Sequence, residues 1–145
     1  MMETETLDGV MIAAEARRWV GTPFAHQGRL IGVGVDCVGL VVGVGRACGL
    51  VDRDRTDYPR TPTENSLRDE FDVSLDRVRY ADMRTGDVLL FRLEMWPQHC
   101  GIVSGLAPVT MIHSYLTAGV CVEHSVDEIW RSRIVQVYRY RKPTL

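Results

Sequence analysis

No apolar run in this sequence is long enough to cross a bilayer. Nor does it carry a basic stripe: 17 Lys and Arg stand against 19 Asp and Glu, for a net charge of −2. That leaves too little positive charge to neutralise a row of phosphates, so general nucleic-acid binding is set aside. Cysteine is scarce and scattered. Cys37, Cys48, Cys100 and Cys121 contain no C-x-x-C pair, which argues against a zinc site, and they are too few to staple 145 residues. Reduced thiols in a protein made in the cytoplasm are the simple account. There is no internal repeat and no low-complexity segment. The opening Met-Met-Glu-Thr-Glu-Thr-Leu-Asp is acidic and lacks an apolar centre, so no secretory leader is expected.

What is present is ordinary globular composition, 46% hydrophobic and 25% charged, in a length that suits one domain over residues 1–145. The stretch that organises it runs from Val35 to Leu50. Asp36 is a good helix cap, an apolar run with helical spacing follows, and Gly49 sits where a helix commonly stops. Cys37 then lies in the first turn, where unpaired N–H groups and the helix dipole favour a thiolate over a thiol. A thiolate is the form a cysteine nucleophile needs. The plain alternative is that Cys37 is a small buried hydrophobe, as free cysteines usually are.

Along the rest of the chain, residues from about Asp8 to Trp19 have a helical pattern that ends at Gly21-Thr22-Pro23. Phe24 to Gly34 reads as a Gly-rich loop. It has neither the Lys-Ser/Thr ending nor the preceding strand of a phosphate-binding loop. Val51 to about Thr63 is a polar connection, and a short helix capped by Thr63 runs to about Val73. After the Thr85-Gly86-Asp87 turn come strands at Val88–Phe91, His99–Val103, Val109–Tyr115 and Gly119–Glu123. A break is expected at Trp96-Pro97-Gln98. Ser125 caps a short helix through Trp130, and Arg133–Arg141 forms a last strand, with the basic residues on its solvated face. Helices first and strands last, with short connections, predict an α+β fold with an antiparallel sheet.

A cysteine nucleophile needs a base, and the base needs a third group to orient it. His99 begins one predicted strand and His113 ends the next, so antiparallel pairing brings them side by side. The resulting arrangement has Cys37 as nucleophile, His99 as base and His113 as the residue that orients it. The Cys37 backbone N–H stands ready for an oxyanion. Structural histidines, or a metal held by the two rings and a thiol, are the alternatives. A metal is disfavoured because no short helical spacing or neighbouring carboxylate accompanies the pair, so no metal and no cofactor are expected. Cys100 points to the opposite strand face and reads as core, like Cys48 and Cys121. His26 lines a pocket or sits on its loop surface, and His124 reads as surface.

These residues carry a resemblance. Trp19-Val20-Gly21-Thr22-Pro23-Phe24, Asp36-Cys37-Val38-Gly39-Leu40, Gly86-Asp87-Val88-Leu89-Leu90-Phe91, His99-Cys100-Gly101-Ile102-Val103 and Met111-Ile112-His113-Ser114 together resemble the NlpC-type cell-wall cysteine peptidases, over nearly the whole chain. The resemblance implies a papain-like α+β fold, with N-terminal helices packed on an antiparallel sheet of about five to six strands. It implies Cys37, His99 and His113 as the catalytic residues, and cleavage of peptide bonds in the stem peptides of bacterial peptidoglycan. It also points to Phe24, His26, Asp36, Val38 and Ser114 as residues near the substrate.

More narrowly, Gly-Thr-Pro-Phe-Ala-His-Gln and Gly-Val-Gly-Val-Asp-Cys-Val-Gly-Leu-Val resemble the peptidases of phage tails and gene-transfer agents. That implies a tail-tip location, hub or baseplate partners and action in the periplasm of the target cell. Three departures stand out: Phe24 where many members have tyrosine, Val38 where serine commonly follows the cysteine, and two extra residues around Leu106-Ala107-Pro108. A structural tail component with little or no hydrolase activity, and an amidase or acyltransferase, are the competing readings.

Overall fold

The computed structural model describes residues 2–50 and 64–142, with side chains from residue 8 onward. Helix α1 (Met2–Arg17) begins earlier than the expected start near Asp8. A two-stranded hairpin follows, β1 (Arg29–Leu30) and β2 (Gly34–Val35), and then helix α2 (Cys37–Ala47). The remaining elements are α3 (Ser66–Ser74), β3 (Asp76–Val78), β4 (Val88–Leu93), β5 (Trp96–Leu106), β6 (Val109–Ser114), β7 (Cys121–Ser125), α4 (Glu128–Ser132) and β8 (Ile134–Arg139). Six of the strands form one antiparallel sheet in the order β3-β8-β4-β5-β6-β7. The α+β class and the antiparallel sheet are as the sequence pattern predicts.

Several boundaries differ. The Gly-rich loop holds the β1–β2 hairpin, too short to leave an alternating pattern. Trp96-Pro97-Gln98 is part of β5 rather than a break, because the two-residue turn at Glu94-Met95 comes earlier, with Glu94 at φ +55°. A register shift between Phe91 and Arg92 carries the β4–β5 ladder past Pro97, which has no N–H to give. Ser125 ends β7 instead of capping α4. Asp127 takes that role, accepting from the Trp130 N–H at 2.9 Å. The expected connection over Val51–Thr63, with Thr63 as cap, lies outside the described residues, and α3 starts at Ser66 behind Asn65.

The sheet is covered on both faces, which is why Val88-Leu89-Leu90-Phe91 is apolar throughout rather than alternating. Val88, Leu90, Cys100, Ile102 and Ile112 face a core built with Ile12, Ala16, Leu40, Val44 and Phe71 from the helices and Trp19 from the turn after α1. Leu89, Phe91, Val103, Met111 and Val137 face the other side with Met83 and Trp130. Gly43 lets α2 pack against Trp19 in the turn after α1, since a Cβ there would stand 2.5 Å from the Trp19 ring.

The start of α2 is fastened to the far edge of the sheet by backbone. Gly21 N–H donates to Cys121 O and Cys121 N–H to Thr22 O, both at 2.8 Å, and Phe24 N–H donates to Gly119 O at 2.8 Å. The same segment meets the residue two before the helix, where Val35 N–H donates to Pro23 O at 3.0 Å. At the other end, the Asp87 carboxylate is 2% exposed and takes two bonds from Arg139, at 2.8 and 2.9 Å, and one from the Arg84 N–H. It holds the turn into β4 against β8.

The Asp87→Ala variant should lose about 2 kcal/mol, as befits removal of a buried, multiply bonded carboxylate whose cation stays partly solvated. Urea unfolding measures this, and an unchanged midpoint would contradict the assigned role.

Candidate active site

Asp36 begins the site. Its backbone is extended and its carboxylate accepts from the Gly39 N–H at 2.7 Å, the capping bond expected from the sequence. The same carboxylate accepts from the Gln27 N–H at 2.7 Å and from Arg29 at 3.2 Å, with His26 Nδ1 at 4.0 Å. Asp36 is therefore spent on the helix start and on the loop before it. Gly39 has to be glycine, because a Cβ there would run into the Gly28 carbonyl. Cys37 follows as the first helical residue, half-buried, and its N–H has no partner one turn back.

The histidines come from the sheet. The β5–β6 register pairs Ile102 with Ile112. Continued toward the start of β5, it sets Gly101 opposite His113 and leaves His99 one diagonal step away on the same face. Gly101 makes room: a Cβ there would lie 3.1 Å from His113 Cβ. His99 Nε2 is 2.6 Å from His113 Nδ1. So the two rings pair diagonally rather than directly across. Both are buried under aromatic rings, with Trp130 edge-on to His113 at 5.1 Å and Tyr115 at 5.3 Å from His99.

Cys37 meets this pair. Its thiol is pushed down to about 5, first by a hydrogen bond from the Cys100 thiol and then by bonding and charge from His99, which together outweigh burial and the Asp36 carboxylate. Cys100 moves the other way, raised by burial and by its role as donor to Cys37. Burial, followed by repulsion from its neighbours His99 and His124, lowers His113 to about 2, so that ring stays neutral. With His99 Nε2 turned to His113, Nδ1 is the nitrogen left for the sulfur.

The structure brings Cys37, His99 and His113 together, and the other candidate residues divide. Ser114 is fully buried and donates to the Val35 carbonyl at 2.6 Å, which ties the end of β6 to the chain before α2 and withholds its hydroxyl from a substrate. Phe24, His26 and Val38 are half-buried around the helix start. Cys100 and Cys121 are core, while Cys48 is half-buried at the α2 C-cap. Cys100 is core as expected, and its thiol is also placed to donate to Cys37. One reading needs correction: His124 is not a bystander on the surface, since its Nε2 lies 2.7 Å from His113 Nε2. The signal for His124 was the strand period: Val122 pairs with His113, so His124 shares its face. Among the described residues no group of three or more His, Cys, Asp and Glu is arranged to hold a metal ion, and no helix is long and apolar enough to cross a membrane.

Alkylation of Cys37 should report this environment. A thiol at about 5 stays thiolate from pH 8 to pH 6, so its rate with iodoacetamide should be flat there and fall only as pH drops through 5. In His99→Ala the fall should move to higher pH. Peptide mass spectrometry reads the rate, and a midpoint near 9 in the unmodified sequence would contradict the geometry.

Comparison with known proteins adds a family and a fold. The profile of the NlpC/P60 family matches residues 21–139. No curated protein matches the chain. Among solved structures, one from Staphylococcus aureus, described as similar to a lipoprotein of the NLP/P60 family, shares 17% identity at a TM-score of 0.70. It aligns over 94% of this chain and 42% of its own, so the present chain spans less than half its length. The NlpC/p60 domain of the peptidoglycan hydrolase SagA shares 20% identity at a TM-score of 0.64, covering 90% of this chain and 97% of that one. The peptidoglycan hydrolase RipB from Mycobacterium tuberculosis shares 19% at a TM-score of 0.66, covering 92% and 64%. Likeness at these identities establishes the papain-like fold.

Proposed function

Because this chain belongs to the NlpC/P60 family, we propose that it is a cysteine peptidase that hydrolyses peptide bonds in the stem peptides of bacterial peptidoglycan. The observation that carries the reading is the lowered Cys37 thiol at a helix tip, bonded to a histidine whose far nitrogen is held by a second histidine. Cys37 attacks the scissile carbonyl as the thiolate. The Cys37 backbone N–H, unpaired as a first helical N–H is, stabilises the oxyanion. His99, protonated at Nδ1, gives its proton to the leaving amine, and the acyl group stays on sulfur. His99 then takes a proton from water, which attacks the thioester and frees Cys37. His113, neutral throughout, holds the His99 ring in one orientation.

We further propose that the protein works in a phage tail or gene-transfer particle, next to hub or baseplate proteins, and opens the wall during DNA delivery. This rests on the sequences around Phe24 and Cys37, which resemble those of tail-encoded peptidases. Phe24 in place of a tyrosine leaves an apolar ring beside the helix start, and an endopeptidase is preferred to an amidase.

Cys37→Ser and His99→Ala should each reduce release of peptide fragments from purified sacculi by a factor on the order of 10⁴, with little change in melting temperature. Mass spectrometry of the products distinguishes a cut within the stem peptide from a cut at its sugar link. Full activity in Cys37→Ser would overturn the assignment.

A further inference from the structure

The row of rings does not end at His113. His124 Nδ1 lies 2.8 Å from the backbone carbonyl of Ser125, and a carbonyl can only accept. So Nδ1 of His124 carries a hydrogen, and in the neutral ring its Nε2 is bare. The neighbouring His113 Nε2, 2.7 Å away, must then be the donor. His113 is buried and neutral, so it has one hydrogen only and its Nδ1 is bare. That atom accepts from His99 Nε2 across 2.6 Å. The order of hydrogens in the row is thereby assigned: His99 donates from Nε2, and its neutral ring presents a bare Nδ1 that can take the Cys37 proton.

The opposite assignment fails at the sulfur. If the His124 Nε2 carried the hydrogen, His113 would have to accept there and hold its own hydrogen on Nδ1. His99 would then accept at Nε2 and, when neutral, present an N–H to Cys37. A ring in that form cannot take the thiol proton, and the doubly protonated ring would set N–H against N–H at His113. One backbone carbonyl on β7, two strands from His99 and linked to it through the rings of His124 and His113, decides between these states.

We propose that His124, anchored by the Ser125 carbonyl, is a positioning residue that fixes the tautomers of His113 and His99 and so keeps His99 ready to act on Cys37. This rests on the reading of Cys37 as nucleophile and His99 as its base. Nitrogen-15 spectra of the histidine rings test the assignment without any activity. At neutral pH, His99 and His113 in their neutral forms should carry hydrogen on Nε2, and His124 on Nδ1. Hydrogen on Nδ1 of His113 would overturn the proposal. In His124→Leu, which offers no acceptor, kcat on sacculi should fall about tenfold at unchanged KM, the scale of one hydrogen bond, and Cys37 alkylation should slow with it. His124→Gln, whose amide oxygen can accept from His113, should recover most of both. Wild-type kcat and alkylation in His124→Leu would refute the positioning role. Slow, ordinary-thiol labelling of Cys37 in the unmodified protein would instead overturn the nucleophile reading, while the ring spectra would still report the order of hydrogens.

Discussion

The Asp36 carboxylate takes a hydrogen bond from the Gly39 N–H inside the helix and another from the Gln27 N–H in the preceding loop, with Arg29 closing over it. These bonds set the angle at which α2 leaves the loop, and with it the position of the Cys37 sulfur. The helix start cannot drift, because Val35 behind it is clamped by the Pro23 carbonyl and the Ser114 hydroxyl. A buried carboxylate with several donors is costly to disturb. Gly39 pressed against the Gly28 carbonyl leaves no slack. The Cys37 sulfur thus sits on a helix tip whose position is fixed from both sides.

The histidines are placed by a different device, the pleat. His99, His113 and His124 come from three consecutive strands, share one face, and step diagonally from strand to strand. A sheet is a good ruler for this purpose, since a slip of one residue would turn each ring to the opposite face. Their surroundings are aromatic, from Phe91, Tyr115 and Trp130, which fills the space between rings without competing for their nitrogens. Helix tip and sheet are separate elements tied together at Val35 and residues 21–24, and the sulfur and the imidazole meet where the two are joined.

Much of this was legible in the sequence, and the parts that were not have physical reasons. The Asp36 cap, the Cys37 helix and the sheet strands carry strong local signals: a capping carboxylate, helical apolar spacing and compact apolar runs. The β1–β2 hairpin and β3 are two and three residues long and leave no period to read. Pro97 pointed to a break, but the bulge at Gln98 beside it lets the strand continue. The pairing of His99 with His113 could be foreseen from strand order, whereas its diagonal form depends on register. His124 was passed over because a half-exposed histidine near a strand end looks the same in sequence whether or not a ring stands beside it. The Cys100 bond to Cys37 was missed for a related reason, as strand alternation says which face a thiol occupies but not where a helix tip will dock.

The clamp at residues 21–24 has one more effect. The free side of β7 is the outer margin of the sheet, and the backbone pairs with Cys121 and Gly119 occupy part of it. The opposite margin, β3, is three residues long and begins with Asp76 and Arg77. Neither border offers a long row of vacant peptide groups to a passing strand, so many copies packed at high local concentration would find little template for sheet-to-sheet aggregation.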